Sequence, residues 1–319
     1  MAKSVMKPLL AAITLGLLGQ GAAAQSYPAS PVTLIVGYGA GGSTDVCNRV
    51  LAQDVGKQLG QTFIIENKPG AGSSLSVNYV IRQKPDGQTI ASLSTGGVLN
   101  QVLSPNVKYD VRKDITPIAM VAQYQVGVLV KADSAYQNMK DLIKASRSSG
   151  KTLSYSTAGI GTPQHLTTER LAKEINAEWV HAPYKSGPEA ITAVLRGDVD
   201  FMAQTAEWIP QLNDGSLRLL SVYTEERMKG FDAPTLKELG YNLVAPSILG
   251  IFGPPKMNQN HVEILTAAFK KASESKDFQA CAEKFGLKTD FKNSVQFKNY
   301  LEDTLNDWAP LLQKFSLSN

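Results

Sequence analysis

Val32-Thr33-Leu34-Ile35-Val36-Gly37-Tyr38-Gly39-Ala40-Gly41-Gly42-Ser43-Thr44-Asp45 runs from a β-branched stretch through a glycine-rich turn into a polar cluster that opens a helix. Val46, Val50, Leu51 and Leu59 then mark one helical face. A strand that turns sharply into a helix is half of a β-α-β unit, and here the unit recurs. Thr62 to Glu66 is the next strand, closed by Lys68-Pro69-Gly70. A helical stretch from Leu75 to Gln83 leads through Pro85-Asp86-Gly87 into the strand Thr89 to Leu93. Such repetition predicts an α/β fold with a parallel sheet covered by helices.

Ile118 to Val130 is long, apolar and β-branched, which fits a strand that leaves one domain and enters another. The alternation then restarts: a helix near Met139 to Arg147, a strand at Leu153 to Ser156, a helix from Pro163 to Ile175 and a strand at Trp179 to His181. A helix at Glu189 to Leu195 and strands at Val199 to Met202 and Leu217 to Tyr223 complete it. Around Ser247 to Phe252 the chain crosses back, and three helical stretches (Val262 to Ala272, Phe278 to Phe285, Phe297 to Phe315) return to the first domain. The expected domains are residues 25–125 with 248–319, and residues 126–247. Two crossing segments make a hinge, and a hinge places a cleft between the domains.

Residues 1–24 read as a secretory signal. Lys3 and Lys7 precede the apolar run Leu9 to Leu18, and Gly21-Ala22-Ala23-Ala24 offers a cleavage site before Gln25. The run falls short of the roughly 20 residues a membrane-spanning helix needs. This leader holds two lysines and no acid, so the formal charge falls from +4 to +2 on its removal. So small a charge argues against a nucleic-acid partner, and it leaves anion selectivity to local geometry. Cys47 and Cys281 are far apart, and the sequence leaves open whether they pair. His165, His181 and His261 lack the spacing of a zinc site.

The second glycine-rich turn, Ser156-Thr157-Ala158-Gly159-Ile160-Gly161-Thr162-Pro163-Gln164-His165, also follows a strand and opens a helix. Thr162 and Pro163 suit the N-cap and first helical position, and Ser43 or Thr44 suits the cap of the earlier helix. Free N–H groups at a helix start can hold an anion, and glycine lets a ligand approach the backbone. One such turn per domain would grip two ends of a small molecule, with hydroxyls of Ser43, Thr44, Ser156, Thr157 and Thr162 assisting. Gly37, Gly39 and Gly42 also match the dinucleotide pattern G-x-G-x-x-G, with Glu66 near the place of a ribose-binding acid. The secretory leader and the second loop, which has no role in that scheme, argue against a nicotinamide oxidoreductase. The sequence contains no G-x-S-x-G elbow and shows no paired-carboxylate motif, so an enzyme is not expected.

From Tyr27 nearly to the C-terminus the chain resembles the Bug-type solute receptors of tripartite tricarboxylate transporters. The resemblance is carried by Tyr27-Pro28-x-x-Pro31-Val32-Thr33-Leu34, Ala40-Gly41-Gly42-Ser43-Thr44-Asp45, Glu66-Asn67-Lys68-Pro69-Gly70-Ala71-Gly72 and Pro85-Asp86-Gly87. Tyr109-Asp110-x-x-Lys113-Asp114-Ile115-Thr116-Pro117, Gly159-x-Gly161-Thr162-Pro163-x-His165-Leu166, His181-x-Pro183-Tyr184-Lys185 and Gly197-Asp198-Val199-Asp200 continue it in order. It implies a two-domain periplasmic-binding-protein fold (type II, Venus flytrap) with a ligand cleft between the domains. It also implies a periplasmic receptor that delivers a small di-, tri- or aromatic carboxylate to the transporter's membrane subunits. Such a receptor is expected to act as a monomer without cofactor or metal. An exported sensory receptor feeding a membrane kinase would use the same fold.

The resemblance also implies that a carboxylate is held by backbone amides and hydroxyls of the two loops, and neither loop contains Arg or Lys. The expected ligand-binding residues are Tyr38, Gly39, Ala40, Gly41, Gly42, Ser43, Thr44 and Asp45 in the first loop. Ser156, Thr157, Ala158, Gly159, Gly161, Thr162 and His165 form the second set. Thr95 and Asn100, in the presumed loop Ser94 to Asn100, and Tyr184 and Gln204 complete it. Many relatives have Pro-Phe-Ala-Ala where this chain has Gly37-Tyr38-Gly39-Ala40, so a phenol can enter the cleft and favours a ligand with a flat part. Gln204 stands where relatives often carry Asp, which argues against an amino-acid ligand. His165 and His181 read as structural residues that tether the loop, and Trp179 and Trp308 as core.

Overall fold

β1 (Val32–Val36) turns into α1 (Ser43–Leu59), as the opening stretch predicts, and its two faces are both buried. Val32 and Leu34 point to one side and Ile35 to the other, the period of two that a covered strand requires. In the computed structural model, residues 27–147 and 152–312 are described; the predicted signal segment lies outside them. β2 (Phe63–Asn67), a 3-10 turn at Ala71–Ser73, α2 (Ser74–Val80), β3 (Thr89–Leu93), α3 (Thr95–Leu103) and β4 (Thr116–Tyr124) follow. The second half comprises β5 (Val126–Lys131), α4 (Met139–Arg147), β6 (Leu153–Thr157), α5 (Pro163–Glu174), β7 (Trp179–Pro183) and α6 (Gly187–Arg196). It continues with β8 (Phe201–Thr205), a 3-10 turn at Ala206–Trp208, α7 (Ile209–Asn213) and β9 (Leu217–Val222). β10 (Ile248–Gly253), α8 (Gln259–Ser273), α9 (Lys276–Lys284), β11 (Leu287–Lys292) and α10 (Ser294–Leu312) then close the first half.

The strands form two sheets, ordered β11-β4-β10-β3-β1-β2 and β7-β6-β8-β5-β9. Each is mixed, where the β-α-β repetition predicts a parallel sheet. β1, β2 and β3 are parallel and so are β6, β7 and β8, but β10 runs against β3 and β4, and β5 against β8 and β9. The crossing segments impose this: a strand that arrives from the other sheet enters from the opposite end. Ile118 to Val130, expected as one strand, is two. β4 lies in the first sheet and β5 in the second, with Gln125 between them.

Helices cover both faces of each sheet. In the first, α1, α8 and α9 pack on one side through Leu51, Val55, Phe269 and Phe278, and α2, α3 and α10 on the other through Val77, Val98, Phe297 and Leu301. In the second, α4 and α5 bury Leu142 and Leu171 against β5 and β6, while α6 buries Ile191 and Val194 on the opposite face. Leu99 of α3, Leu166 of α5, and Trp308 and Leu312 of α10 form a separate apolar cluster between the two halves. Cys47 of α1 and Cys281 of α9 are joined in a disulfide, with Cα atoms 5.9 Å apart.

Two local expectations are corrected. Ser94 to Asn100 is the start of a helix, with Ser94 as N-cap accepting the Gly97 N–H at 3.3 Å. The cap of α1 is Gly42, with Ser43 as the first helical residue and no side chain of its own loop capping it. The Thr44 hydroxyl instead accepts from the Tyr124 phenol at 3.0 Å.

Candidate functional site

Between the two sheets lies a pocket lined by the loops that leave the carboxyl ends of the parallel strands, the usual ligand position in α/β proteins. The turn after β1 supplies Tyr38, Gly39, Gly42, Ser43 and Thr44. Ser94 follows β3, Ala158 and Gln164 follow β6, Ser186 and Gly187 follow β7, and Thr205 and Glu207 sit at the end of β8. Tyr124 and Ser247 come from the two crossing segments, where the Tyr124 N–H donates to the Ser247 carbonyl at 2.7 Å. The loops of the two halves close on one another so far that only about 30 Å³ remains between them, room for one or two water molecules. Among the described residues that line it there is no Arg, Lys or His. Whatever it holds is therefore held by hydroxyls, amides and helix ends, with one carboxyl group already in place.

That carboxyl belongs to Glu207 and is almost fully buried. Its Oε2 accepts the Ser43 N–H at 3.0 Å, across the gap between the halves. Oε1 accepts from the Thr205 hydroxyl at 2.9 Å and the Gln204 side-chain amide at 3.2 Å. The Gln204 carbonyl in turn accepts from Gln164 at 3.0 Å. Glu207 thus caps α1 from the opposite half, in the role that Gly42 has no side chain to fill. Desolvation raises its pKa, and the bonds from Ser43 and Thr205 oppose that rise without cancelling it. Gly187 makes the arrangement possible: a Cβ there would lie 1.9 Å from Glu207 Oε1. The Tyr38 hydroxyl donates to Ser94 at 3.1 Å, and burial pushes its pKa up to about 12.

Tyr38, Gly39, Gly42, Ser43, Thr44 and Ala158 are the predicted site residues that line the pocket. Gln204 stands one hydrogen bond behind it, on Glu207. Ala40 and Gly41 lie at the exposed crest of the first loop. Asp45 turns away to Arg49 and Asn67, at 2.8 and 2.9 Å. Burial works against its ionisation, but those bonds and the Gly41 N–H hold its carboxyl below the usual range. The Thr95 hydroxyl accepts the Ile248 N–H at 3.2 Å, beside the crossing, and Asn100 donates to the Ala71 carbonyl at 2.8 Å. Ser156 donates to the Ala190 carbonyl, and half-buried Tyr184 packs with the apolar cluster under α6.

The second loop is braced from below. Thr162 caps α5 and also donates to the Gly159 carbonyl at 2.9 Å. His165 Nδ1 accepts the Gly161 N–H at 3.0 Å, and Thr157 bonds His181 at 2.8 Å. The two imidazoles stack with centroids 4.0 Å apart, and Tyr155 continues the stack on His181. Burial lowers both histidines, His165 to about 4 and His181 to about 3, so both are neutral at pH 7. Gly159, Ile160 and Gly161 reach the first half at Gly72 and Asn100. Ser94, Tyr124, Gln164, Ser186, Gly187, Thr205 and Ser247 line the pocket without being among the expected ligand-binding residues, and Glu207 lines it from the strand end that sequence places at the cleft. The same strand-end position is the signal that would have added Thr205.

Two α/β halves, two crossings and a polar pocket built from strand-end loops of both define a two-domain solute-binding protein. Solved structures agree: the periplasmic binding protein BugD superimposes with a TM-score of 0.85 at 26% identity, covering 90% of this chain and 98% of that one. The chain belongs to the tripartite tricarboxylate transporter family receptors, whose family profile matches residues 47–317. It is 36% identical over 309 residues to the UPF0065 protein in the gbd 5' region of Cupriavidus necator, across 97% of this chain and 94% of the relative. MatC from Rhodopseudomonas palustris, solved with bound malate, shares the fold at 24% identity and a TM-score of 0.84, covering 90% of this chain and all of MatC. The family and the two-domain α/β fold are thus those the sequence resemblance implies.

Proposed function

We propose that this chain is a periplasmic receptor that captures a small organic carboxylate in the pocket between its halves. It hands the ligand to the membrane subunits of a tripartite transporter and acts as a monomer without cofactor. The observation that carries the reading is the pocket itself, which is built from strand-end loops of both halves. A ligand touching both halves favours the closed form over an open one, which is what a membrane partner can sense. Family membership supports the transporter partner, and the malate held by MatC supports an organic acid as ligand. The predicted leader at residues 1–24 supports export. Tyr38, with its hydroxyl on Ser94 and its half-buried ring at the pocket, favours a ligand with a flat portion.

A thermal-shift screen of the chain from Gln25 onward tests this, with mono-, di- and tricarboxylates, amino acids and NAD at pH 6.5 and 8. A ligand at a hundred times its Kd stabilises by about 2.7 kcal/mol, a clear rise in melting temperature. Stabilisation by one or a few carboxylates is expected. Stabilisation by NAD alone would overturn the reading and return the glycine pattern at Gly37, Gly39 and Gly42 to its dinucleotide meaning.

A further inference from the structure

The pocket is furnished for one negative charge, and the protein itself supplies it. Two helices, α1 and α6, begin at the Glu207 carboxyl, with Ser43 donating its N–H and Gly187 in contact. A helix start carries at most about half a positive charge, so the pair offsets roughly one anion. Thr205 and Gln204 complete the coordination of Oε1. A second ionised carboxylate would have to sit beside the first in the same desolvated space. At about 4 Å and an effective dielectric of about 20, the repulsion weakens binding roughly a thousandfold. Two carboxyl groups that share such a site resolve it by sharing one proton.

We propose that the pocket takes up its anionic ligand together with one proton from solvent, held between the ligand and Glu207. The inference rests on the carboxylate-receptor reading above and names what that site demands of its ligand. The groups that face Glu207 supply no alternative countercharge. The phenols of Tyr38 and Tyr124 stay protonated because burial raises both. On α1, Asp45 is committed to Arg49 and Asn67; on α6, Glu189 accepts the Lys185 N–H. On α5, His165 is tied to Gly161 through Nδ1 and is neutral above about pH 4. Gln164, Gln204, Thr205, Ser186 and Ser247 are neutral at every working pH. Burial already tilts Glu207 toward its protonated form.

Calorimetric titration with malate, adipate, citrate and benzoate at pH 6.5, 7.5 and 8.5 tests this, each in two buffers of different ionisation enthalpy. The range lies above the ordinary carboxylate pKa values and above both histidines. For the carboxylate that binds, uptake of about one proton at pH 7.5 is expected, with Kd weakening about tenfold per pH unit. Glu207→Gln, nearly isosteric, should bind the same anion with no proton uptake, no pH slope and a tighter Kd than wild type at pH 8.5. A wild-type Kd that is flat with pH, without proton uptake, would overturn the proposal and leave the receptor reading intact. So would aspartate binding more tightly as pH rises and being lost in Glu207→Gln, since Glu207 would then be an ionised partner for an ammonium group. If no carboxylate binds either protein at any pH, the receptor reading itself falls, and this inference with it.

Discussion

Gly187 and the two stacked histidines show how much of the pocket depends on single atoms. A Cβ at residue 187 would meet Glu207 Oε1 at 1.9 Å and Gln204 Nε2 at 2.4 Å, both inside any real contact distance. Gly187→Ala should therefore push Glu207 off Ser43, at a cost of about 1–3 kcal/mol in urea unfolding. Removing the obstructing carboxylate as well, in Gly187→Ala with Glu207→Ala, should recover part of that loss. Equal losses in the single and double variants would mean the clash is absorbed elsewhere. The histidines predict a pH dependence of defined sign. Both are depressed by burial, so the unfolded chain binds more protons than the folded one below pH 6.5. Stability should fall as pH drops from 6.5 through about 4 and then about 3, by at most about 1.4 kcal/mol per pH unit for each ring. His181→Phe keeps a ring in the stack and removes one titration, so urea midpoints between pH 6 and 4 should follow a shallower slope.

Helix starts organise the second loop. Thr162 is fully buried, caps α5 by accepting the His165 N–H, and ties down Gly159. Thr162→Ala should cost about 1 kcal/mol in chemical denaturation, and Thr162→Ser should restore most of it. This cap was legible in the sequence because Thr-Pro before an amphipathic run has one common meaning. The strand-turn-helix units were legible for a similar reason: Val32 to Val36 is short, apolar and closed by Gly37, and Leu153 to Ser156 alternates apolar with polar residues before the Ala158-Gly159 turn. α3 was not. Gly96 and Gly97 read as a turn, yet a Cβ on Gly96 would lie 2.5 Å from the Gly72 carbonyl, so that glycine serves close packing rather than flexibility. The cap of α1 was hidden more deeply. Its partner, Glu207, lies 164 residues away, and no local pattern joins the two. The two-fold strand reversal was also invisible, because hydrophobic alternation does not encode direction.

At the scale of the molecule, an apolar cluster joins the halves. Leu99, Leu166, Trp308 and Leu312 form the cluster between them, supported by Gly39 N–H on the Lys185 carbonyl at 3.2 Å and by Glu207 on Ser43. Leu166 is fully buried in that cluster, so Leu166→Ala should cost about 2–5 kcal/mol. Because the lost contacts hold the halves together, small-angle scattering should also show a larger radius of gyration. An unchanged radius would place the loss within α5 alone. The disulfide belongs to this scale too. Reducing Cys47–Cys281 should lower unfolding stability by about 2–5 kcal/mol, seen as a shift in denaturant midpoint with and without reductant.

That bond joins residues 234 positions apart, and β10 and β11 reach the first sheet from beyond the whole second one. The chain is made N-terminus first, and on the proposed export route it also crosses the membrane N-terminus first, so Cys47 arrives 234 residues ahead of its partner. Until β10 arrives β3 has no neighbour on its inner side, whereas β5 to β9 are contiguous in sequence and can assemble as they appear. The half of the protein that is made first is the half that is finished last.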